Sequence, residues 1–216
     1  MTAKKPFAFK RDGPDLPDGL ESSEELGDGD FVTIEEKRLR DLERTNLRIG
    51  TFRTESSVME RVQLAGGQFG SAVWKDVRMV GCDLANIRAH RIALVRVELV
   101  DCRLTGFRAT ALDWQDVLVR NGDARYTQLQ GGKFRACEFD GCDWREADLQ
   151  EADLTGSIFR SCNLAQADLH RAKLQNTDFR KSEIDCMTVG MSDLKGAIVD
   201  PSQAMILARL MGLRIG

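Results

Sequence analysis

Apolar residues recur at every fifth position along most of this chain. Stepping by five from Met59 to Leu194 meets Leu64, Phe69, Trp74, Leu84, Leu94, Leu104, Trp114, Phe134, Phe139, Trp144, Leu149, Leu154, Phe159, Leu169 and Phe179. Only Ala89, Ala109 and Ala124 in this series are small. Two residues before each member lies a second series, from Ser57 to Ser192, made mostly of Ala, Ser, Cys, Gly and Thr. Residues 57–196 hold 39 charged side chains, of which chance would place about 16 in the two series. None is there. The first series, position i, and the second, position i−2, therefore point inward, and the other three residues of each five face water.

A period of five fits neither an α-helix nor a continuous strand. It fits a short alternating strand followed by a corner, so that each repeat makes one side of a coil. One side cannot bury its own apolar residue, whereas stacked coils bury a continuous core, with backbone hydrogen bonds between coils at about 4.8 Å. A second period counts the sides. Cys82, Cys102, Cys142 and Cys162 are spaced by 20 or 40, with Gly122 and Ser182 in the same column, and Phe139, Phe159 and Phe179 form another column. Twenty residues per turn means four sides. Where position i shrinks to Ala89 and Ala109, position i−2 grows to Ile87 and Phe107, which conserves inward volume as close packing requires.

The run Ala147-Asp148-Leu149-Gln150-Glu151-Ala152-Asp153-Leu154-Thr155-Gly156 resembles the pentapeptide-repeat family, whose loose pattern is A-(D/N)-L-X-X, and the register persists for 28 repeats. The resemblance implies an all-β fold, a right-handed quadrilateral β-helix of about seven regular coils. The pattern weakens between residues 117 and 132, where Gly122 precedes Ala124 and Tyr126 has no counterpart, so an outward bulge or bend is expected there.

The ends read differently. Residues 1–30 carry three of the four prolines, four glycines and eight acidic residues against four basic ones, the composition of a flexible arm. Two readings compete for residues 31–56. The segment Thr33 to Glu36 has the form of a capping box opening a short helix, whereas Leu42, Leu47 and Phe52 step by five like an incomplete coil, with two extra residues before Met59. The favoured reading is a short helix or irregular cap to about residue 44, then three repeats. The β-helix proper spans 57–199. Residues 200–216 predict a helical cap over the open end, opening at Pro201 and burying Ala204, Leu207, Ala208 and Met211. This tail also resembles the ends of family members that protect DNA gyrase from quinolones and pair through their C-termini. It admits a homodimer through Leu207, Leu210, Met211 and Leu213, or a monomeric cap.

Chemistry is sparse. The cysteine column lies in the core with side chains parallel, unlike the tetrahedral convergence zinc requires. His90 and His170 share a face but sit four coils apart, roughly 19 Å. No nucleophile elbow, phosphate-cradling loop or metalloprotease motif is present, so neither catalysis, a metal nor a cofactor is expected. Two surface features stand out. The cysteine side carries a broken acidic stripe, with Asp83, Asp123, Asp143 and Glu183 as the candidate binding surface, and residues 88–108 carry Arg88, Arg91, Arg96, Arg103 and Arg108. The net charge of −3, the absence of an apolar run of membrane length and of a signal-like start predict a cytoplasmic protein that binds neither nucleic acid nor membrane. The functional expectation is a non-catalytic, rigid protein-binding scaffold. The alternative implied by the resemblance is a DNA mimic that binds DNA gyrase or topoisomerase IV and protects it from quinolones. The near balance of 20 acidic and 19 basic side chains in residues 57–196 weighs against a surrogate for dense phosphate charge.

Overall fold

The computed structural model describes residues 10–27, 29–210 and 212–214. It is a parallel β-solenoid. Strand β1 (Glu21–Ser23) and the first-coil strands β2 (Phe31–Glu35) and β3 (Lys37–Arg40) precede four strands of 13 residues: β4 (Arg48–Glu60), β5 (Gln68–Val80), β6 (Arg88–Val100) and β7 (Arg108–Arg120). Three short strands follow, β8 (Lys133–Arg135), β9 (Glu138–Asp140) and β10 (Ile158–Arg160), and one helix, α1 (Pro201–Leu210).

Within the solenoid, pairing from coil to coil is parallel at an offset of 20. Ile34 pairs Thr54, Thr54 pairs Trp74, Trp74 pairs Leu94, Leu94 pairs Trp114 and Trp114 pairs Phe134. Single bridges carry the same offset to Ile198. Corners form because the second residue after position i takes a left-handed conformation, as at Asn86 (φ 56°), Arg96 (φ 51°), Asn121 (φ 51°) and Tyr126 (φ 59°). Asn, Asp and Gly accept that conformation most cheaply and hold many of the corners. One edge departs from this rule. Thr51, Ser71, Arg91 and Ala111 keep negative φ, and strands β4 to β7 run straight through the corner. From Gly131 (φ +64°) onward the same edge turns left-handed, and the long strands end.

Residues 31–56 contain no helix. Val32 and Ile34 alternate as a strand does, both inside, and β2 and β3 form a first coil. No two-residue insertion separates Phe52 from Met59 either. Phe52 pairs Ala72 and so belongs to the i−2 column, with the small Thr54 at position i beside it. This is the volume exchange already seen at Ile87 and Phe107, and it had disguised the frame. The register also runs unbroken through residues 117–132, with Arg103 bridged to Asp123 and Arg108 to Gln128, and Tyr126 projects outward from an ordinary corner.

The described part of the expected arm lies along the rod. Arg11 pairs with Glu98 at 3.1 Å, the Asp12 N–H donates to Asp116, the Asp15 N–H donates to Asp76 at 2.9 Å, and β1 pairs β3 in parallel. Leu26 is buried in the core. Residues 1–9 and Asp28 lie outside the described residues.

The core is one continuous column. Phe139, Phe159 and Phe179 stack with centroids 4.7 and 5.3 Å apart, and Trp144 meets Phe139 edge-on at 5.0 Å. The i−2 residues do more than fill space. The thiols of Cys82 and Cys142 and the hydroxyls of Ser182 and Thr177 each donate to a backbone carbonyl 23 residues earlier, those of Met59, Val119, Phe159 and Leu154, at 3.5, 3.2, 3.2 and 2.8 Å. A small donor at i−2 therefore ties one coil to the coil before it.

Helix α1 closes the C-terminal end. Asp200 and Gln203 form a reciprocal capping box, each side chain accepting the other's backbone N–H at 3.0 Å. The Gln203 amide then donates to the carbonyls of Phe179 and Ser182, both at 2.6 Å. Gln203 and Leu207 are buried and Ile206 and Ala208 half-buried, whereas Ala204, expected inside, is exposed, because an open coil end needs hydrogen-bond donors as well as apolar cover.

Candidate interaction surfaces

On a rod whose backbone is locked in register, function falls to the outward columns, and most of their charge is internally paired. Arg61 bridges Asp41, Lys75 bridges Glu55, Arg171 bridges Glu151 and Lys173 bridges Asp153, each pair 20 residues apart and hence on neighbouring coils. The strongest environment is that of Asp76, which is almost fully buried and takes two hydrogen bonds from Arg96, at 2.7 and 2.6 Å. Burial works to raise its carboxyl pKa, but the guanidinium and the Asp15 N–H outweigh it and hold the group below its usual range.

The acidic stripe is not a free acidic surface. Asp83 is bridged by Arg103 from the next coil. Asp123 is held by both nitrogens of Arg125, at 2.9 and 2.8 Å, and by the Thr105 hydroxyl. The Arg125 hydrogen bonds bring its pKa to about 2, from an ordinary 3.8. Asp143 is engaged by Arg145 in the same forked manner. Glu183 accepts from Asn163 at 2.8 Å. The four candidate residues do share one column, as the period of 20 predicts, but Arg103, Arg125 and Arg145 neutralise three of them. Of these arginines only Arg103 lies in the column, so sequence spacing alone did not reveal the pairing.

The five buried cysteines are Cys82, Cys102, Cys137, Cys142 and Cys162, and Cys186 is exposed. Burial pushes the Cys137 thiol up, and the neighbouring thiol together with burial does the same to Cys102 and Cys162. Among the described residues, no group of His, Cys, Asp and Glu is arranged to hold a metal ion. His90 and His170 are both exposed on one corner column. No described helix is long and apolar enough to cross a membrane. At the C-terminal end, Leu207 faces the rod's own core, whereas Leu210 and Leu213 are exposed, as are Met205 and Met191. Met211 lies outside the described residues.

A model of pentapeptide repeats matches residues 127–164 and 147–184, with eight copies, in the same frame as the 20-residue register that runs from Phe31 to Ile198. Residues 127–184 are pentapeptide repeats. Among solved structures, a trypsin-treated form of QnrB1, a plasmid-mediated fluoroquinolone resistance protein, is 18% identical, covering 85% of this chain and 90% of that one, with a TM-score of 0.45. HetL from Nostoc sp. strain PCC 7120, a pentapeptide-repeat protein involved in heterocyst differentiation regulation, is 15% identical over 77% of this chain and 84% of its own, with a TM-score of 0.36. Rfr23 from Cyanothece 51142 is 16% identical over 57% and 91%, with a TM-score of 0.28. Among curated proteins none matches significantly. At these levels no neighbour bears on what this protein binds.

One group of outward residues was undervalued in the sequence. Arg48, Arg88 and Arg108 occupy one column, with Arg91 and His90 at the adjoining corner, where the strands run straight through. Among the described residues none of these four arginines makes an ion pair, and all are exposed. The signal was available in the 20-residue spacing, but only the pairing of Arg96 and Arg103 elsewhere separates these arginines from the rest of the basic stretch.

Proposed function

We propose that this protein is a non-catalytic, rigid scaffold that binds another protein. The observation that carries this reading is the arrangement of its outward side chains. They stand in columns on a backbone whose every coil is hydrogen-bonded to the next, so a partner meets a surface ordered before contact. Preorganisation of this kind lowers the entropic cost of association. The thiols of Cys82 and Cys142 and the hydroxyls of Thr177 and Ser182 are meanwhile committed to backbone carbonyls inside the core.

The arginine pairing along Asp83, Asp123 and Asp143 speaks against a DNA mimic, because a surrogate for phosphate needs unneutralised charge at close intervals. Two measurements test the reading together. Cross-linking of the purified full chain in an extract of its source cells, followed by mass spectrometry, should capture a stoichiometric protein partner, and failure to capture any would count against the scaffold. DNA gyrase supercoiling, with and without a quinolone, should be unchanged by the protein. Inhibition or protection would install the gyrase reading instead, and variants of Asp83, Asp123, Asp143 and Glu183 would then locate it. Size-exclusion chromatography with light scattering decides between a homodimer, which would use Leu210 and Leu213, and a monomer capped by Leu207.

A further inference from the structure

Within residues 57–196 every arginine is ion-paired except Arg88, Arg91 and Arg108, which makes the exception informative. Of the five arginines in residues 88–108, Arg96 is bridged to Asp76 and Arg103 to Asp83. Arg88, Arg91 and Arg108 are left without an ion pair among the described residues, and so is Arg48, two coils before Arg88 in the same column. These four converge on a single edge.

That edge is concave. A groove of about 510 Å³ is lined by Arg48, Arg88 and His90 together with Gly50 and Gly70, and it continues into a recess of about 340 Å³ bordered by Arg88, Arg108, Gln128 and Gln130. Two features of the fold create it. The strands pass this corner without the left-handed turn used at the other edges. Side chains are also absent at Gly50 and Gly70, where the coils approach too closely to admit one: a Cβ on Gly70 would lie 2.6 Å from the Gly50 carbonyl oxygen. Concavity and unpaired arginines thus coincide over the coils of β4 to β7, and both end together. Beyond Gln128 the column continues as Asp148 and Asp168, and Asp30 lines the opposite end.

We infer that this groove receives a short, extended, acidic segment of a partner protein, an inference that rests on the scaffold reading and names its recognition chemistry. Arginine forks suit carboxylates, which they bind with two parallel hydrogen bonds. From Arg48 to Arg108 is three coil spacings, about 14 Å, the length of four or five extended residues. Carboxylates bounding the groove limit the occupant to that length and disfavour a long polyanion. Nucleic acid is further disfavoured because Phe69, the phenyl ring bordering the groove, is buried in the core and offers no face on which a base could stack. The groove is too open to enclose a small molecule in the manner of an apolar pocket.

The test is fluorescence anisotropy of the full chain with a labelled hexaglutamate peptide, beside a labelled oligothymidylate. Peptide binding should weaken about tenfold or more in the Arg88→Glu/Arg108→Glu double variant, and also with added salt. A double variant of equal charge change elsewhere, Lys181→Glu/Lys195→Glu, should bind within about twofold of the parent, as expected when only local charge matters. The arginine variants alter exposed, unpaired side chains, so matching circular dichroism and melting temperature exclude misfolding. Absent peptide binding, equal loss in both double variants, or tighter binding of the oligonucleotide would each overturn the inference. The cross-linked partner separates the two proposals. Undiminished capture by the arginine variant removes the groove and leaves the scaffold, whereas arginine-dependent peptide binding with no partner captured does the reverse.

Discussion

Replacing Phe139 with Ala should cost more than any surface change on this protein. Phe139 is fully buried between Val119 and Phe159 in consecutive coils. Its ring lies 4.7 Å from Phe159, 5.0 Å from Trp144, 6.1 Å from Phe134 and 6.5 Å from Trp114. Truncating a buried Phe to Ala typically costs about 3–5 kcal/mol, including the cavity left behind. Aromatic pairing beyond area burial adds about 0.5–1.5 kcal/mol per good pair, and those terms overlap. A solenoid is poor at collapsing into the gap, because its coils are held at a fixed spacing by the hydrogen-bond ladder. The expected loss is therefore at the upper end, about 4–5 kcal/mol. Phe139→Leu keeps most of the volume and should lose about 1.5 kcal/mol or less. Guanidinium unfolding, followed by tryptophan fluorescence and by circular dichroism, measures both. Trp114 and Trp144 flank the site and report locally, whereas dichroism reports all coils. Because each coil contacts only its neighbours, the variant should also separate the two curves, with fluorescence changing first. A loss below about 1.5 kcal/mol for the alanine variant would refute the claim that a rigid aromatic column carries the core.

Other consequences are as direct. The Asp123 carboxyl should titrate near a pH of about 2 by carbon-detected NMR, whereas an unpaired Asp sits at 3.8. Because its folded pKa is depressed, the stability it contributes is present above pH 4 and is lost as pH falls toward about 2. A midpoint at or above 3.8 would deny the Arg125 bridge. Gln203→Ala leaves the Phe179 and Ser182 carbonyls without their donor, which should cost about 1–3 kcal/mol and accelerate amide exchange in the last coil. Unchanged exchange there would mean that the helix does not cap the rod. Finally, a thiol reagent should modify Cys186 alone in the folded protein and the five buried cysteines only on unfolding. Rapid reaction of a second thiol would contradict a closed core.

What the sequence made legible follows from which properties repeat. Inward positions admit no charge, so two uncharged series at a period of five disclosed strand, corner and face together. Columns of 20 then disclosed the number of sides. The rule failed where a residue broke its class while preserving volume. Phe52 and Thr54 exchange sizes, which made a regular coil look like an insertion and allowed the polar run from Thr33 to Glu36 to suggest a helix. Gln203 was passed over for the opposite reason. It is polar yet buried, and only the open carbonyls of Phe179 and Ser182 explain why.

The surfaces were less legible because charge is a property of pairs. A column of Asp83, Asp123 and Asp143 looks acidic when read alone, and turns neutral once Arg103, Arg125 and Arg145 are placed beside it. The basic stretch behaves in the opposite way. Pairing removes Arg96 and Arg103 and leaves Arg88, Arg91 and Arg108 with Arg48 at one concave edge. The meaningful quantity on such a rod is thus the charge remaining after each coil has satisfied its neighbours. That remainder is positive where the corner runs straight and two glycines withhold their side chains. A partner recognised by charge would find the groove there, and would find little on the stripe that the sequence alone had marked.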